Sequence, residues 1–361
     1  MKVLFLVPYP REGASNRVRV EQYLKYLKAE GVYFRVRPFM NSAFYSILYL
    51  PHKYAEKLFW FIICFVNRLL DILRALRYDV IFIHRESCPL GGAFIERILC
   101  MLKKRIIFDF DDSIFLPNTS EHNSYIERFK KPAKVASIIK MSSVVIAGNE
   151  YLKEYASKYN ANVIVIPSSI DTDIYFPGEA ASDRKEITIG WIGSNTTKKF
   201  LYDIEDVFVE ISKRYPRRIK IVIVGGGFFS SRLDNVINKR WELNSEAEDI
   251  RSFDIGIMPM PDNEWTKGKC GFKAILCMSC GVPVVASAVG ANLNIIKDGV
   301  NGFLAKDNTE WIRKLSDLIE SRDLRLKIGK AACRSVEEKY SIKVNFKLFL
   351  NALNGVTSEK I

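Results

Sequence analysis

The sequence predicts an α/β protein made of two parallel-sheet units, and three observations carry that expectation. Strand-like apolar runs alternate with helix-length segments along most of the chain. The alternation comes in two series, separated by the polar, turn-rich stretch DTDIYFPGEAASDRKE at 171–186. The 361 residues, 48% hydrophobic and 26% charged, hold enough apolar mass for two cores at roughly 150 residues per domain.

The first series begins with KVLFLVP (2–8), a six-residue apolar run ended by proline, too short for a signal peptide and suited to a first strand. Strands follow at VYFRVRPF (32–39), DVIFIH (79–84), RIIFDF (105–110), SVVIAG (143–148) and NVIVIP (162–167), with helical segments at 19–30 and 149–159. The second series runs EITIGWIG (186–193), RIKIVIVGGG (218–227), FDIGIMPM (253–260) and VPVVAS (282–287). Such alternation implies right-handed crossovers between parallel strands. The chain ends in helical patterns, the last with apolar residues at Ile342, Val344, Phe346, Leu348, Phe349 and Leu353. The expected domains are 1–178 and 179–340, with 341–361 as a final helix returning to the first.

Residues 43–78 interrupt this rhythm as a long amphipathic insertion. Its apolar core, Leu58 to Val66, falls short of the ~20 residues a membrane span needs. Two readings stay open: a helix packed on the first domain, or an interfacial helix. In the second, Phe59, Trp60, Phe61 and Phe65 enter lipid while Lys53, Lys57, Arg68, Arg74 and Arg77 meet anionic head groups.

The formal charge is +13, and residues 1–105 carry 18 Lys and Arg against 8 Asp and Glu. Nucleic acid is not the expected partner, for there is no zinc-finger spacing, RNP-like strand or helix-turn-helix signal. Seven cysteines, mostly within apolar runs, fit reduced thiols in cytosol. Cys277-Met-Ser-Cys280, with Cys270 upstream, has no fourth ligand nearby for zinc and falls at a helix end, so small buried hydrophobes account for it better.

Chemistry concentrates where strands end. After FDIGIMPMP, the loop DNEWTKGKCG leads into the helix FKAILCMSCG. Lys267, Lys269, Cys270, Gly271, Phe272 and Lys273 therefore gather at a helix N-terminus beside a strand end, a setting for phosphate. GWIGSNTTKKFL (190–201) adds Gly193, Ser194, Lys198 and Lys199. In the first domain, Gly13, Ala14 and Ser15 open a loop bearing Arg17 and Arg19, without a GxGxxG fingerprint. Asp109, Asp111 and Asp112 crowd the fourth strand's end, which suits proton transfer, hydroxyl positioning or metal, with helix capping as the plainer role. His84 ends the third strand.

These motifs resemble glycosyltransferase family 4, of the GT-B fold. The likeness covers the Gly-Ala-Ser loop, FDFDDSIF (108–115), AGNEYL (147–152), IPSSIDTDIYFP (166–177), IGWIGS (189–194), KCGFK (269–273) and, most specifically, GVPVVASAVGANLNIIKDGVNGFLA (281–305). A bacterial branch acting in envelope polysaccharide assembly is the most similar. The resemblance implies two Rossmann-like domains with parallel sheets facing across a cleft, a nucleotide-sugar in the second and an acceptor in the first. It also implies transfer with retention of configuration, no cofactor and no strict need of metal. The family's paired glutamates stand here as Gly268 and Leu276, with Asp262 and Glu264 near enough to replace them in part. Its arginine stands as Ser194, and Lys199 holds its lysine's place.

The expected function is a retaining glycosyltransferase, hexosyltransferase in type, moving sugar from a nucleoside diphosphate to an envelope glycan or lipid-linked acceptor. Lys199, Lys267, Lys269 and Lys273, with Gly193, Ser194, Cys270, Gly271 and Phe272, would hold the donor. Asp109, Asp111 and Asp112 would act on the acceptor, with Gly13, Ala14, Ser15, Arg17, Arg19 and His84 beside it. The alternatives are a non-catalytic GT-B protein binding a sugar nucleotide or glycan, and an NAD-dependent oxidoreductase. The expected location is cytoplasmic, peripherally attached to the inner face of the cytoplasmic membrane through an anionic surface.

Overall fold

The computed structural model describes residues 1–117, 131, 133–178 and 186–355. The chain divides into two units, Met1–Ser168 with Asn345–Ile361, and Ser169–Val344. The break thus falls after Ser168 and not after 178. Residues 169–178 belong to the second unit because Ile170 bridges Ser341 and Tyr175 donates to Glu246. Part of the expected linker, 179–185, lies outside the described residues.

In the first unit, β1 (Lys2–Val7), β2 (Tyr33–Pro38), β3 (Val80–His84), β4 (Arg105–Phe110), β5 (Val144–Ala147) and β6 (Val163–Val165) form one parallel sheet. Their order is β2-β1-β3-β4-β5-β6. The four inner strands are apolar runs buried on both faces, as a helix-covered parallel sheet requires. Winding reverses between β1 and β3, so the carboxyl ends of these strands mark the crevice where such sheets bind ligands.

Residues 43–78 prove to be the β2–β3 crossover and no insertion: helices Ser42–Ile47 and Tyr54–Ala75 join parallel strands that β1 separates. The longer helix is turned inside out. Its buried seam is Lys57, Cys64, Arg68, Asp71 and Ala75. Arg68 donates to the carbonyls of Val7 and Arg37, and Asp71 accepts from Arg37 and Arg74 at 2.8 Å. Two of the expected head-group cations, Lys57 and Arg68, are therefore committed to the interior, and Arg74 is paired. Phe61 and Phe65 pack inward on Phe39 and Phe94. Outward face Leu58, Phe59, Ile62, Val66, Leu69, Leu70, Leu73 and Leu76, each between 37% and 64% exposed. Among the described residues no helix is long and apolar enough to cross a membrane.

The closing helix, Ile342–Asn354, packs on the first unit's core. Phe349 stacks on Tyr23 at 4.3 Å and meets Phe82 at 5.4 Å.

The second unit holds β7 (Ile187–Gly193), β8 (Ile219–Gly225), β9 (Val236–Lys239), β10 (Ile255–Met258), β11 (Val284–Ser287) and β12 (Phe303–Ala305). They too are parallel, in the order β12-β11-β10-β7-β8-β9. The sequence does not announce β9 or β12. Both are short edge strands, and VINK alternates half-buried and exposed residues instead of forming an apolar run.

Candidate functional site

Two groups of strand ends bear the expected chemistry. In the second unit, Gly193 closes β7, and Ser194 caps the helical turn Asn195–Lys198. Helix Phe272–Ser279 starts from Gly271, whose φ of +64° and a would-be Cβ 2.2 Å from Ile295 both require glycine. From the first turn of that helix, Lys273 reaches β7: its Nζ donates to Thr197 Oγ1 at 2.7 Å and lies 4.5 Å above the Trp191 ring. A Cβ on Gly193 would stand 2.7 Å from that Nζ and 2.5 Å from Trp191, so glycine admits the lysine.

The other expected donor lysines go elsewhere. Lys267 pairs with Glu264 at 2.9 Å and with Asp262 at 3.8 Å. The two carboxylates expected to replace the family's lost glutamates are thus engaged with a neighbouring lysine. Lys269 lies 5.5 Å over Trp265, and Lys199 is exposed beside the Phe200 ring. Lys198 donates to the carbonyl of exposed Phe228 at 2.6 Å. Convergence of four lysines on one anion is therefore not what the fold builds. Cys270 is buried, and Phe272 packs against the core. Burial raises the Cys277 and Cys280 thiols, the latter to about 11, as befits packing side chains. Among the described residues no group of three or more His, Cys, Asp or Glu is placed to hold a metal ion.

Beside Lys198 runs a loop of three left-handed glycines, Gly225 to Gly227, with φ of 75°, 71° and 68°. With Phe228, the β9 residues Asn238 and Lys239, and Arg240 and Trp241 just after them, Gly225 and Gly227 line a pocket of ≈ 260 Å³. The pocket went unseen in the sequence because β9 did, although the glycine run was a visible signal.

In the first unit, β3 and β4 pair so that His84 stands beside Asp109. Asp109 is 1% exposed, accepts from both Arg19 and His84, and Arg19 also donates to the Ile166 carbonyl at 2.7 Å. Asp109 therefore does not face an acceptor, and Arg19 does not face a phosphate; they hold each other inside. Asp111 and Asp112 remain at the rim, at 11% and 16% side-chain exposure, gripped by Arg85 at 2.6 and 2.8 Å. Ser15 Oγ sits 2.5 Å from His84 Nε2 and 3.1 Å from Asp111. A Cβ on Gly13 would lie 2.5 Å from Tyr9, so this loop approaches its own strand closely; Ala14 is exposed and Arg17 half-buried.

Residues 186–321 match the family described as Glycosyl transferases group 1. An uncharacterized glycosyltransferase of Methanocaldococcus jannaschii is 24% identical over 272 residues, 70% of this chain and 69% of that one. Among solved structures, sucrose-phosphate synthase of Thermosynechococcus elongatus superposes with a TM-score of 0.70 at 14% identity, covering 98% of each chain. Anabaena HepE, solved with UDP-glucose, gives 0.69 at 16% identity over 99% of this chain and 100% of that one. The chain has the GT-B fold, and most of its second unit matches the glycosyl transferases group 1 family.

In the first unit of this GT-B chain, a residue that the sequence reading passed over, Arg85, pairs with both rim aspartates. It has φ of +60°, a left-handed conformation uncommon for a non-glycine residue that His52, Lys103 and Arg217 also adopt. Its guanidinium donates to Asp111 and Asp112. Burial opposes ionisation of Asp111, but Arg85 foremost and His84 next hold its carboxyl far below the usual range. Burial likewise opposes ionisation of Asp109, and Arg19 with His84 outweighs it. Both remain anions, so neither is suited to shuttle protons near neutral pH.

Proposed function

We propose that this glycosyltransferase moves a hexosyl group, with retention of configuration, from a nucleoside diphosphate sugar to an envelope glycan or lipid-linked acceptor. The donor is assigned to the second unit and the acceptor to the first. The observation that carries the reading is Lys273. From a helix N-terminus it meets Thr197 at the end of β7, where a diphosphate would find an ammonium, a hydroxyl and helix N–H groups together. The glycine loop and the pocket beside Trp241 supply an aromatic-edged space for the rest of a nucleotide. UDP-glucose bound to Anabaena HepE supports the same donor class. The reaction as proposed draws on no cofactor and has no strict need of metal.

Attachment to the inner face of a membrane belongs to the same reading. The apolar outward face of helix Tyr54–Ala75 is followed by exposed Arg77, and Lys104 donates to the Leu76 carbonyl at its end, with Lys53 paired to Glu56 at its start. An apolar stripe with cations at its ends complements an anionic bilayer.

The experiment is a panel of nucleotide-sugars incubated with the full chain while released nucleoside diphosphate is measured. Turnover of at least one sugar is expected. Binding of a sugar nucleotide without release would make the chain a non-catalytic GT-B protein, a reading favoured by the Gly268 and Leu276 that replace two carboxylates. Leu276 is 4% exposed within the core.

A further inference from the structure

In the second unit, one indole joins the surroundings of Lys273 to the glycine loop. Lys273 Nζ lies 4.5 Å above the Trp191 ring, and a Cβ on Gly226 would stand 3.1 Å from the same ring. A Cβ on Gly225 would in turn meet Trp241 Cβ at 3.1 Å. A diphosphate on Lys273 and Thr197 therefore leaves its nucleoside beside the pocket of ≈ 260 Å³. The polar side chains that line this pocket are engaged, with one exception. Asn238 accepts from the Phe229 N–H at 2.8 Å and donates to the Phe229 carbonyl at 3.1 Å. Lys239 pairs with buried Asp249, and Trp241 Nε1 donates to buried Glu246 at 2.7 Å. The exception is Arg240, which is exposed and makes no hydrogen bond or ion pair among the described residues. Phe228 is 73% exposed, although Lys198 holds its carbonyl and Asn238 holds the N–H that follows it. An exposed phenyl and a half-buried indole give a flat ring two faces to stack on.

A guanidinium donates hydrogen bonds and accepts none. It can meet the keto oxygen at C4 of uracil or at C6 of guanine. Cytosine and adenine carry an amino group at the same places, which would set donor against donor. We infer that Arg240 reads this edge and selects a sugar donor whose base bears the keto oxygen, while Phe228 and Trp241 stack on a base of either kind. The inference rests on the nucleotide-sugar reading of the second unit and deepens it by naming the class of base. The other polar side chains of the pocket do not make that choice. The Asn238 amide could read either group by turning over, but Phe229 fixes both of its polar atoms. Lys239 donates as Arg240 does, yet its ammonium is held by Asp249. Arg240 touches the base and not the reacting carbon, so its loss changes which donor binds and leaves the chemistry of transfer alone.

Calorimetry on the full chain compares two pairs of equal size, UDP with CDP and inosine diphosphate with ADP, whose members differ only along that edge. Within a pair that binds, the keto member should bind about tenfold tighter or more. Arg240→Ala should abolish this preference, and Arg240→Lys should keep its direction. Phe228→Ala should weaken keto and amino members alike, by about tenfold, and leave their ratio unchanged. Pairs that bind alike, or a preference that survives Arg240→Ala, overturn the inference while the donor site stands. Unchanged affinities in Phe228→Ala place the base elsewhere and overturn it as well. Binding of neither pair overturns the donor reading, and the inference falls with it.

Discussion

Asp109 and Asp111 lie two residues apart and serve different ends. Asp109 is the counter-charge for buried Arg19 and the partner of His84, so Asp109→Asn leaves a buried cation uncompensated. Removing one member of such a pair costs about 3–5 kcal/mol, to be read as a lower urea midpoint. Asp111→Asn, at the rim, should abolish transfer and cost less stability than Asp109→Asn, because Asp112 still pairs with Arg85; retained transfer would leave Asp111 a structural partner of Arg85. Both carboxyls are held below their usual range. Their contribution to stability is thus present above the unfolded carboxylate pKa of about 4 and fades as pH falls toward the folded values. A urea series from pH 7 downward should show that fall, and Asp109→Asn should flatten it. On the second unit, Lys273→Ala should weaken sugar-nucleotide binding by ~1.5–3 kcal/mol, the worth of one charge-assisted hydrogen bond. Lys267→Ala should change little, because Glu264 and Asp262 already occupy that ammonium. Calorimetry on the pair distinguishes them, and equal losses would restore the four-lysine site.

At the scale of elements, helix Tyr54–Ala75 shows why periodicity alone misleads. Its apolar residues do recur at helical spacing, but the face they form is the outer one. The contacts of Arg68, Asp71 and Arg37 fix the rotation of the helix, because a buried charge without partners costs several kcal/mol. Attachment to membranes should accordingly rest on insertion more than on head-group charge. Flotation with anionic vesicles should carry the chain upward at low salt and lose only part of it at high salt. The substitutions Ile62→Asp and Leu69→Asp together should abolish flotation without unfolding the chain. If the wild-type chain stays at the bottom and sediments as a dimer, the face covers a second copy and not a lipid surface.

At the scale of the molecule, the last helix belongs to the first unit although it follows the second in sequence. Phe349 is 2% exposed and wedged on Tyr23 and Phe82. Phe349→Ala should cost about 3–5 kcal/mol, and fluorescence of the denaturant transition should assign that loss to the first unit. An unchanged transition would mean that the helix merely rests there.

Ten of the twelve strands among the described residues, their parallel alternation and the loops at their ends were legible in the sequence, because a buried parallel strand must be an apolar run and a turn must carry its glycines. The edge strands β9 and β12 were not: VINK alternates half-buried and exposed residues, and Phe303–Ala305 is only three residues long. Residue types at the site were legible too: Ser15, His84, the aspartates and Lys273 stand out as polar groups at strand ends. Which of them touch was decided only by tertiary structure. The β3–β4 register sets His84 on Asp109, Arg85 gathers Asp111 and Asp112, and packing of helix Phe272–Ser279 delivers Lys273 to β7 while Lys267 is held by its own loop. Periodicity records how a side chain relates to its own element. Charge pairing across elements depends on the distances that packing creates, and those are not written in the spacing of residues along the chain.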